Sequence, residues 1–327
     1  MKIYNNLFEK VIEWENLENS FKNAIKGTGK TNASCKYFFN LENELINIQE
    51  ELENEQYKPG KYHFFKIYDP KERTIAVAPF KDRVVHHALV EVLKMVYEPC
   101  FIYDSYATRV NKGTHKAICR AQKFLRNHDY YLKMDIEKFF DTVDHDILLN
   151  ILKRKIRDKK IINLLEKLIR NYPANKGLPI GNLTSQFLAN VYLDPFDHFI
   201  KEKMRIKGYL RYMDDFVLFK DSNDFLKDLK QCIINYLNDE LKLTLQKKAT
   251  NMHRASHGLN FLGMRIYPGI IRVKRQNRRR SVKKLSKRIN LWKEGLIEEE
   301  KMIQSLNSIV SHLKYFSPYI SYWVPEP

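Results

Sequence analysis

The sequence predicts an α+β fold in which a short antiparallel sheet packs on helices, and three kinds of stretch carry that prediction. Residues 209–219 (YLRYMDDFVLF) read as two apolar strands meeting at a tight turn, with the adjacent acids Asp214 and Asp215 at its tip. Residues 62–78 and 130–136 are rich in the aromatic and branched side chains that suit strands. Around them, apolar residues recur at helix spacing, most plainly at Leu41, Leu45, Ile48 and Leu52. A chain of 327 residues, 44% hydrophobic and 13% aromatic, can bury a large core.

Taken in order, residues 1–56 are helical, and Glu42, Glu44, Glu50, Glu51, Glu53 and Glu55 form the solvated face opposite the leucines. Pro59-Gly60 breaks that pattern, and residues 62–78 follow as a hairpin turning at Asp69-Pro70. A helix opens at Phe80 and runs to about Tyr97, and a second ends near Leu125. The strand 130–136 ends in Asp135, after which Asp141 or Asp144 can cap the helix carrying Ile147, Leu148, Ile151 and Leu152. A loop with Pro173, Gly177 and Pro179 leads to a helix capped by Asn182 or Thr184. After the Asp-Asp hairpin comes a helix over about 224–241, then a strand and basic turn over 243–248. Residues 258–266 pair with 270–273 across Tyr267-Pro268-Gly269, and a small helical unit closes the chain.

Charge and composition narrow the function. Lys and Arg number 57 against 39 Asp and Glu, a formal +18, and a field of that sign attracts polyanions, nucleic acid first among them. The densest run is 272–288, with ten basic residues and no acid; Arg278, Arg279, Arg280, Lys283 and Lys284 lie at its centre, and such density suits tracking of phosphates. A second basic group, Arg109, Lys112 and Lys116, surrounds Gly113 and could hold a template backbone. Cys35, Cys100, Cys119 and Cys232 form no C-x-x-C pair, which fits a reducing compartment and argues against structural zinc. His253 and His257 lack the third ligand and Glu that would make them a metal site. With no signal sequence and no apolar run of membrane-spanning length, the expected location is cytoplasmic, with no membrane partner.

Side-by-side carboxylates repel each other, so Asp214-Asp215 is poor for stability and well suited to holding divalent cations. Tyr212-Met213-Asp214-Asp215 between two hydrophobic strands resembles the palm hairpin of reverse transcriptases. That resemblance implies a third carboxylate upstream at a strand end, and Asp135 supplies it. Six ordered segments over roughly 58–263 agree, implying a right-hand polymerase fold with fingers and palm over 58–270, a helical region over 1–57 before them and a basic helical thumb over 271–327. Ile180-Gly181 and Ser185-Gln186 stand where most of the superfamily has Gln-Gly and Ser-Pro. This variant, with Ser105-Tyr106-Ala107 and residues 112–117 (KGTHKA), is similar to the reverse transcriptases of diversity-generating retroelements. Group II intron proteins usually carry Tyr-Ala-Asp-Asp with maturase regions beyond, and retron enzymes a Val-Thr-Gly signature that is not found here.

The resemblance carries roles onto positions. Asp135, Asp214 and Asp215, with the Ile136 carbonyl, would hold two Mg²⁺ ions for nucleotidyl transfer. Phe140 falls at the steric gate that favours deoxynucleotides. Arg73 would fold over the incoming triphosphate, with Lys66 and Lys71 as weaker candidates, because the arginine fork pairs bidentately with phosphate. Ile180, Gly181, Gln186, Tyr212 and Met213 would line the nascent base pair, and Lys248, or Lys247, would act near the leaving pyrophosphate. The implied partners are template RNA, primer and cDNA, deoxynucleoside triphosphates, and a small basic helical accessory protein, the accessory variability determinant. The implied activity copies a template-repeat RNA with errors at template adenines. The competing readings are a group II intron-type or phage-defence reverse transcriptase, an RNA-dependent RNA polymerase, which Phe140 opposes, and a non-catalytic RNA-binding scaffold, which three intact acids oppose.

Overall fold

A computed structural model describes residues 2–26, 37–68, 72–172 and 175–314. The expected turn at Asp69-Pro70, Lys71, Pro173 and Cys35 lie outside the described residues.

The chain begins with helices α1 (Phe8–Ile12), α2 (Trp14–Ile25) and α3 (Leu41–Glu53). Leu45, Ile48 and Leu52 of α3 are buried as their spacing predicts, and Glu42, Glu50, Glu53 and Glu55 are exposed, while Glu44 is half-buried and Glu51 pairs with Lys81. A two-stranded hairpin, β1 (His63–Ile67) and β2 (Arg73–Val77), follows, with both Phe64 and Phe65 44% exposed. The hairpin is tied down at one point, where Ala76 donates its N–H to the Ile180 carbonyl at 2.8 Å and Asn182 Nδ2 donates to the Ala76 carbonyl at 3.1 Å. Helix α4 (Phe80–Tyr97) starts after Pro79, whose missing N–H and fixed φ suit a helix entry. Its Val84, Val85, Ala88, Leu89, Val92, Leu93 and Val96 are all buried, so α4 is a central rod of the core. Helix α5 (Thr114–Asn127) then leads to the main sheet.

That sheet has four antiparallel strands in the order β4-β5-β3-β6, where β3 is Tyr130–Asp135, β4 Tyr209–Tyr212, β5 Asp215–Lys220 and β6 Asn251–Arg254. Period-two alternation divides its residues between two cores. Leu132, Met134, Phe216 and Leu218 face the larger, helical core, which includes α7 (His145–Lys155), α8 (Lys159–Arg170), α9 (Leu183–His198) and α10 (Asn223–Leu241). Tyr131, Leu210, Val217 and Phe219 face a second core shared with α5 and the strands that follow β6. Asp144 caps α7, accepting from the N–H groups of Asp146 (3.0 Å) and Ile147 (2.9 Å), and this leaves Asp141 to the short helix α6 (Phe139–Thr142).

The structure departs from the sequence expectations in four places. Helix α8 lies where no element was expected; its burial of Ile161, Ile162, Leu164, Leu165, Leu168 and Ile169 makes it as amphipathic as any helix in the chain. Residues 243–248 do not form a strand: Leu245 makes a single bridge to Ile136, and residues 247–249 form a 3₁₀ turn. The fourth strand of the sheet is instead β6. Residues 258–266 break into β7 (Leu259–Phe261) and β8 (Met264–Ile266), because Leu262 and Gly263 both take positive φ (47° and 83°) and reverse the chain. With β9 (Ile271–Val273) these make a three-stranded sheet, followed by the exposed basic helix α11 (Arg275–Lys293) and α12 (Glu299–Lys314). Among the described residues no helix is long and apolar enough to cross a membrane.

Candidate active site

The three acids predicted as ligands meet at the end of the four-stranded sheet. Register places Asp135, the last residue of β3, directly opposite Asp215, the first residue of β5. Between β4 and β5 the turn is only Met213-Asp214, and Met213 takes φ +57°, a left-handed conformation costing an unbranched residue about 1 kcal/mol. The turn is pinned from two sides. Ile136 donates its N–H to the Asp214 carbonyl at 3.3 Å, and Arg211 Nη1 donates to the Met213 carbonyl at 3.0 Å.

The electrostatics are those of acids forced together out of water. Burial, then the neighbouring Asp135 charge, push the Asp214 carboxyl up to about 6. Burial pushes Asp215 up to about 7 against the pull of Lys133, with Asp135 and Asp214 adding to the rise. Lys133 Nζ lies 2.9 Å from Asp215 Oδ2, while Asp215 Oδ1 is buried without a hydrogen-bond partner. An orphaned, buried carboxylate oxygen among mutually repelling acids is a donor set suited to a divalent cation. Among the described residues no three His, Cys, Asp or Glu side chains are already gathered as a ligand cage. Asp215 faces the Lys133 ammonium instead.

Of the other predicted residues, Arg73 and the segment at Gln246 are tied to the acids, and the rest are placed by contacts of their own. Arg73, at the start of β2, is near enough for its charge to lower the Asp214 carboxyl. Ile180 and Gly181 form the seam to β2 described above, and Gly181 has φ +114° with the position of a Cβ only 2.8 Å from Ile75 Cγ2. Gln246 donates its N–H to the Asp135 carbonyl at 2.8 Å, which hangs the exposed Lys247 and Lys248 beside the acids. Phe140, half-buried, packs edge-on to Phe139 five residues beyond Asp135. The Tyr212 hydroxyl meets Thr114 Oγ1 at 3.0 Å, and exposed Gln186 reaches Thr108 at 3.4 Å.

The basic groups divide. Arg109 is spent internally: Nε donates to Glu98 Oε2 at 2.8 Å, Nη1 to the Ile102 carbonyl at 2.8 Å, and its side chain is 7% exposed. It braces the loop instead of offering charge to a phosphate. Lys112 lies over the Tyr103 ring and donates to the Tyr103 carbonyl, whereas Lys116 is exposed and donates to the Asn111 carbonyl. Arg278, Arg279, Lys283 and Lys284 lie exposed on α11, and Arg280 is half-buried there.

Two parts of the site escaped the sequence reading. Lys133 stands two residues before Asp135 on the same strand, and the two-residue period that puts both on one face was the available signal. The second is the fully buried Arg211, whose Nε and Nη2 grip Asp197 at 2.8 and 2.6 Å, while Nη1 also donates to Asn190 Oδ1 at 3.0 Å and Nη2 to Ser105 Oγ at 3.3 Å. No local pattern announces that pairing across helix α9.

Comparison with known proteins bears on the family of the chain. Residues 59–266 match the family model described as reverse transcriptase (RNA-dependent DNA polymerase). The chain is 25% identical over 293 residues to Protein YkfC of Escherichia coli, covering 74% of this chain and 75% of that protein. It is 22% identical over 295 residues to the group II intron-encoded protein LtrA of Lactococcus lactis subsp. cremoris, covering 68% and 49%. It is 29% identical over 140 residues to a COX1/OXI3 intron 2 protein of Saccharomyces cerevisiae, covering 40% of this chain and only 16% of that protein. Among solved structures, apo telomerase from Candida tropicalis truncated from its C-terminal domain shares the fold, with a TM-score of 0.52 at 16% identity over 67% of this chain and 55% of that one. The family match takes in more than half of the sequence, including all three acids, and the chain belongs to the reverse transcriptase (RNA-dependent DNA polymerase) family.

Proposed function

We propose that the chain is an RNA-directed DNA polymerase whose reaction centre is Asp135, Asp214 and Asp215, with fingers and palm over 58–270 and a basic thumb from 271. The observation that carries this is the direct opposition of Asp135 and Asp215 across the sheet, with Asp214 beside them on a pinned turn. These acids, with the Ile136 carbonyl, would hold two Mg²⁺ ions, which when bound supply activation of a primer 3′-hydroxyl and neutralisation of the triphosphate. The protein's own part is positioning. Arg73 meets the triphosphate from the β1–β2 hairpin, Lys248 stands at the pyrophosphate side, and Phe140 closes the sugar pocket to a 2′-hydroxyl. Gly181 lets backbone approach the nascent pair, with Ile180, Gln186, Tyr212 and Met213 around it. Lys116 and the α11 cations track phosphates of the template RNA and the primer or cDNA.

Ile180-Gly181 and Ser185-Gln186 support a diversity-generating retroelement enzyme, error-prone at template adenines and working with a small basic accessory protein. Ile180 cannot offer the amide hydrogen bonds of the usual Gln, which loosens the hold on a mispair. The similarity to LtrA favours a second reading, a group II intron-type enzyme without adenine-directed error.

Primer extension on an RNA template with Mg²⁺ and deoxynucleotides, with sequenced products, separates these readings. Extension that Asp214→Ala abolishes, with errors clustered at template adenines that fall in Ile180→Gln, supports the first. Extension with evenly spread errors leaves the intron-type reading. No extension, with or without the accessory protein, leaves an RNA-binding scaffold.

A further inference from the structure

Lys133 has an unusual station. Its ammonium bridges Asp215 Oδ2 at 2.9 Å and the Asn260 carbonyl of β7 at 3.1 Å, near the Phe261 ring, with both charged side chains 20% exposed. It thus joins the first residue of β5 to the β7–β8 hairpin. Behind it opens a cleft of about 260 Å³ lined by Tyr131, His253, His257 and Arg265, with no acid among its lining residues. The ammonium is paired with Asp215, and the cleft gives it space to withdraw.

We propose that Lys133 is the resident counter-cation of Asp215 in the metal-free enzyme, displaced toward the cleft when a divalent cation loads onto the three acids. This rests on the metal reading of those acids given above. A +1 group at Asp215 partly offsets the repulsion among Asp135, Asp214 and Asp215, so the turn keeps its shape without metal. The same +1 group competes with an arriving +2 ion, so Lys133 sets how much free cation is needed for loading. Because the lysine also holds Asn260, its release frees the β7–β8 hairpin as the acids fill, linking metal occupancy to that hairpin. Lys133 is a positioning residue in this scheme and touches no reacting atom.

The test uses the full chain, Mn²⁺ as the probe, and binding read from the free-ion electron paramagnetic resonance signal, with thermal melts in parallel. Lys133→Met keeps the stem and removes the charge; Lys133→Gln serves if that variant does not fold; Lys133→Arg keeps the charge. In the Met or Gln variant, Mn²⁺ should bind about tenfold tighter, the free energy of one modest ion pair. The metal-free protein should melt lower, and added Mn²⁺ should raise its melting temperature by more than in wild type. Lys133→Arg should stay within about twofold of wild type. Equal or weaker Mn²⁺ binding by the folded Met or Gln variant overturns the role of Lys133 while leaving the three acids as ligands. Binding to wild type that Asp214→Asn does not weaken overturns the metal reading and this inference together.

Discussion

Arg211 offers the sharpest separation of folding from catalysis. Its guanidinium is fully buried, and each of its nitrogens has a partner among Asp197, Asn190, Ser105 and the Met213 carbonyl. Asp197 is fully buried too, and accepts from the Tyr209 hydroxyl at 2.6 Å. Asp197→Asn keeps the shape and removes the counter-charge, leaving a buried cation unbalanced, which costs about 3–5 kcal/mol. At roughly 2 °C per kcal/mol for a chain of this size, the melting temperature should fall by roughly 6–10 °C. The double variant Arg211→Met, Asp197→Leu removes both charges and should recover only part of that loss, because the buried Tyr209 hydroxyl, Asn190 and Ser105 lose their partners. It also removes the donor to the Met213 carbonyl, so the strained turn loses one of its two pins. Circular dichroism melts and primer extension by the same proteins make the test: Asp197→Asn least stable, the double variant partly recovered but slower by about tenfold or more, as displaced active-site groups predict. A melt of Asp197→Asn within 2 °C of wild type, on the roughly 2 °C per kcal/mol scale, would show that the pair is not holding an otherwise uncompensated charge. A double variant that extends primers at the wild-type rate would show that the bond to Met213 does not shape the turn.

Acid sensitivity should trace to His86, which is buried on α4 with its ring pushed down to about 3, by burial first and then by His87 and Arg83. Its folded value lies below the ordinary 6.5, so its stabilising contribution is complete above that pH and drains away as pH falls toward 3. At pH 5 the loss is about 2 kcal/mol, and urea midpoints of His86→Leu should show a correspondingly shallower acid slope than wild type; parallel slopes would contradict this. Phe140→Ala should raise ribonucleotide incorporation at least about tenfold while deoxynucleotide use changes little, and an unchanged sugar preference in single-nucleotide assays would remove Phe140 from the gate. Gly181→Ala meets Ile75 Cγ2 at 2.8 Å and the Ala76 carbonyl at 3.2 Å in a backbone conformation that favours glycine. It should cost about 1–3 kcal/mol and shift the β2 seam, and adding Ile75→Ala should restore only part of the melting temperature because the backbone strain remains.

The meeting of Asp135 with Asp214-Asp215, the proposed reaction centre, was legible in the sequence because its signals are local. Asp135 ends a strand whose composition is unmistakable, and Asp214-Asp215 sits between two apolar strands that admit only a tight turn. Helices α3, α4 and α10 were legible for the same reason, since apolar spacing of 3–4 residues needs no knowledge of what it packs on. Strand β6 was not, because Asn251-Met252-His253-Arg254 carries almost no apolar alternation and is a strand only by pairing with the β3 edge. The β7–β8 break was missed because Leu262 shares the left-handed turn with Gly263, and a leucine with φ +47° contradicts its own propensity.

The cations show the limit most clearly, because a basic residue reads the same in sequence whether it meets solvent, a phosphate or a carboxylate of its own chain. Arg109 looked like a phosphate ligand and is a buried brace on Glu98. Arg211 sat inside the motif that identified the site and was passed over, though it holds the turn in place. Lys133 would count as a solvated strand residue by composition, yet its ammonium pairs with Asp215 Oδ2 at 2.9 Å. In each case the deciding fact is a partner far away in sequence: Glu98 eleven residues from Arg109, Asp197 fourteen from Arg211, and Asn260 of β7 127 residues from Lys133. Catalytic acids must be concentrated, so short motifs betray them. The groups that neutralise and steady those acids can come from any element that passes within 3 Å, and only the fold selects which.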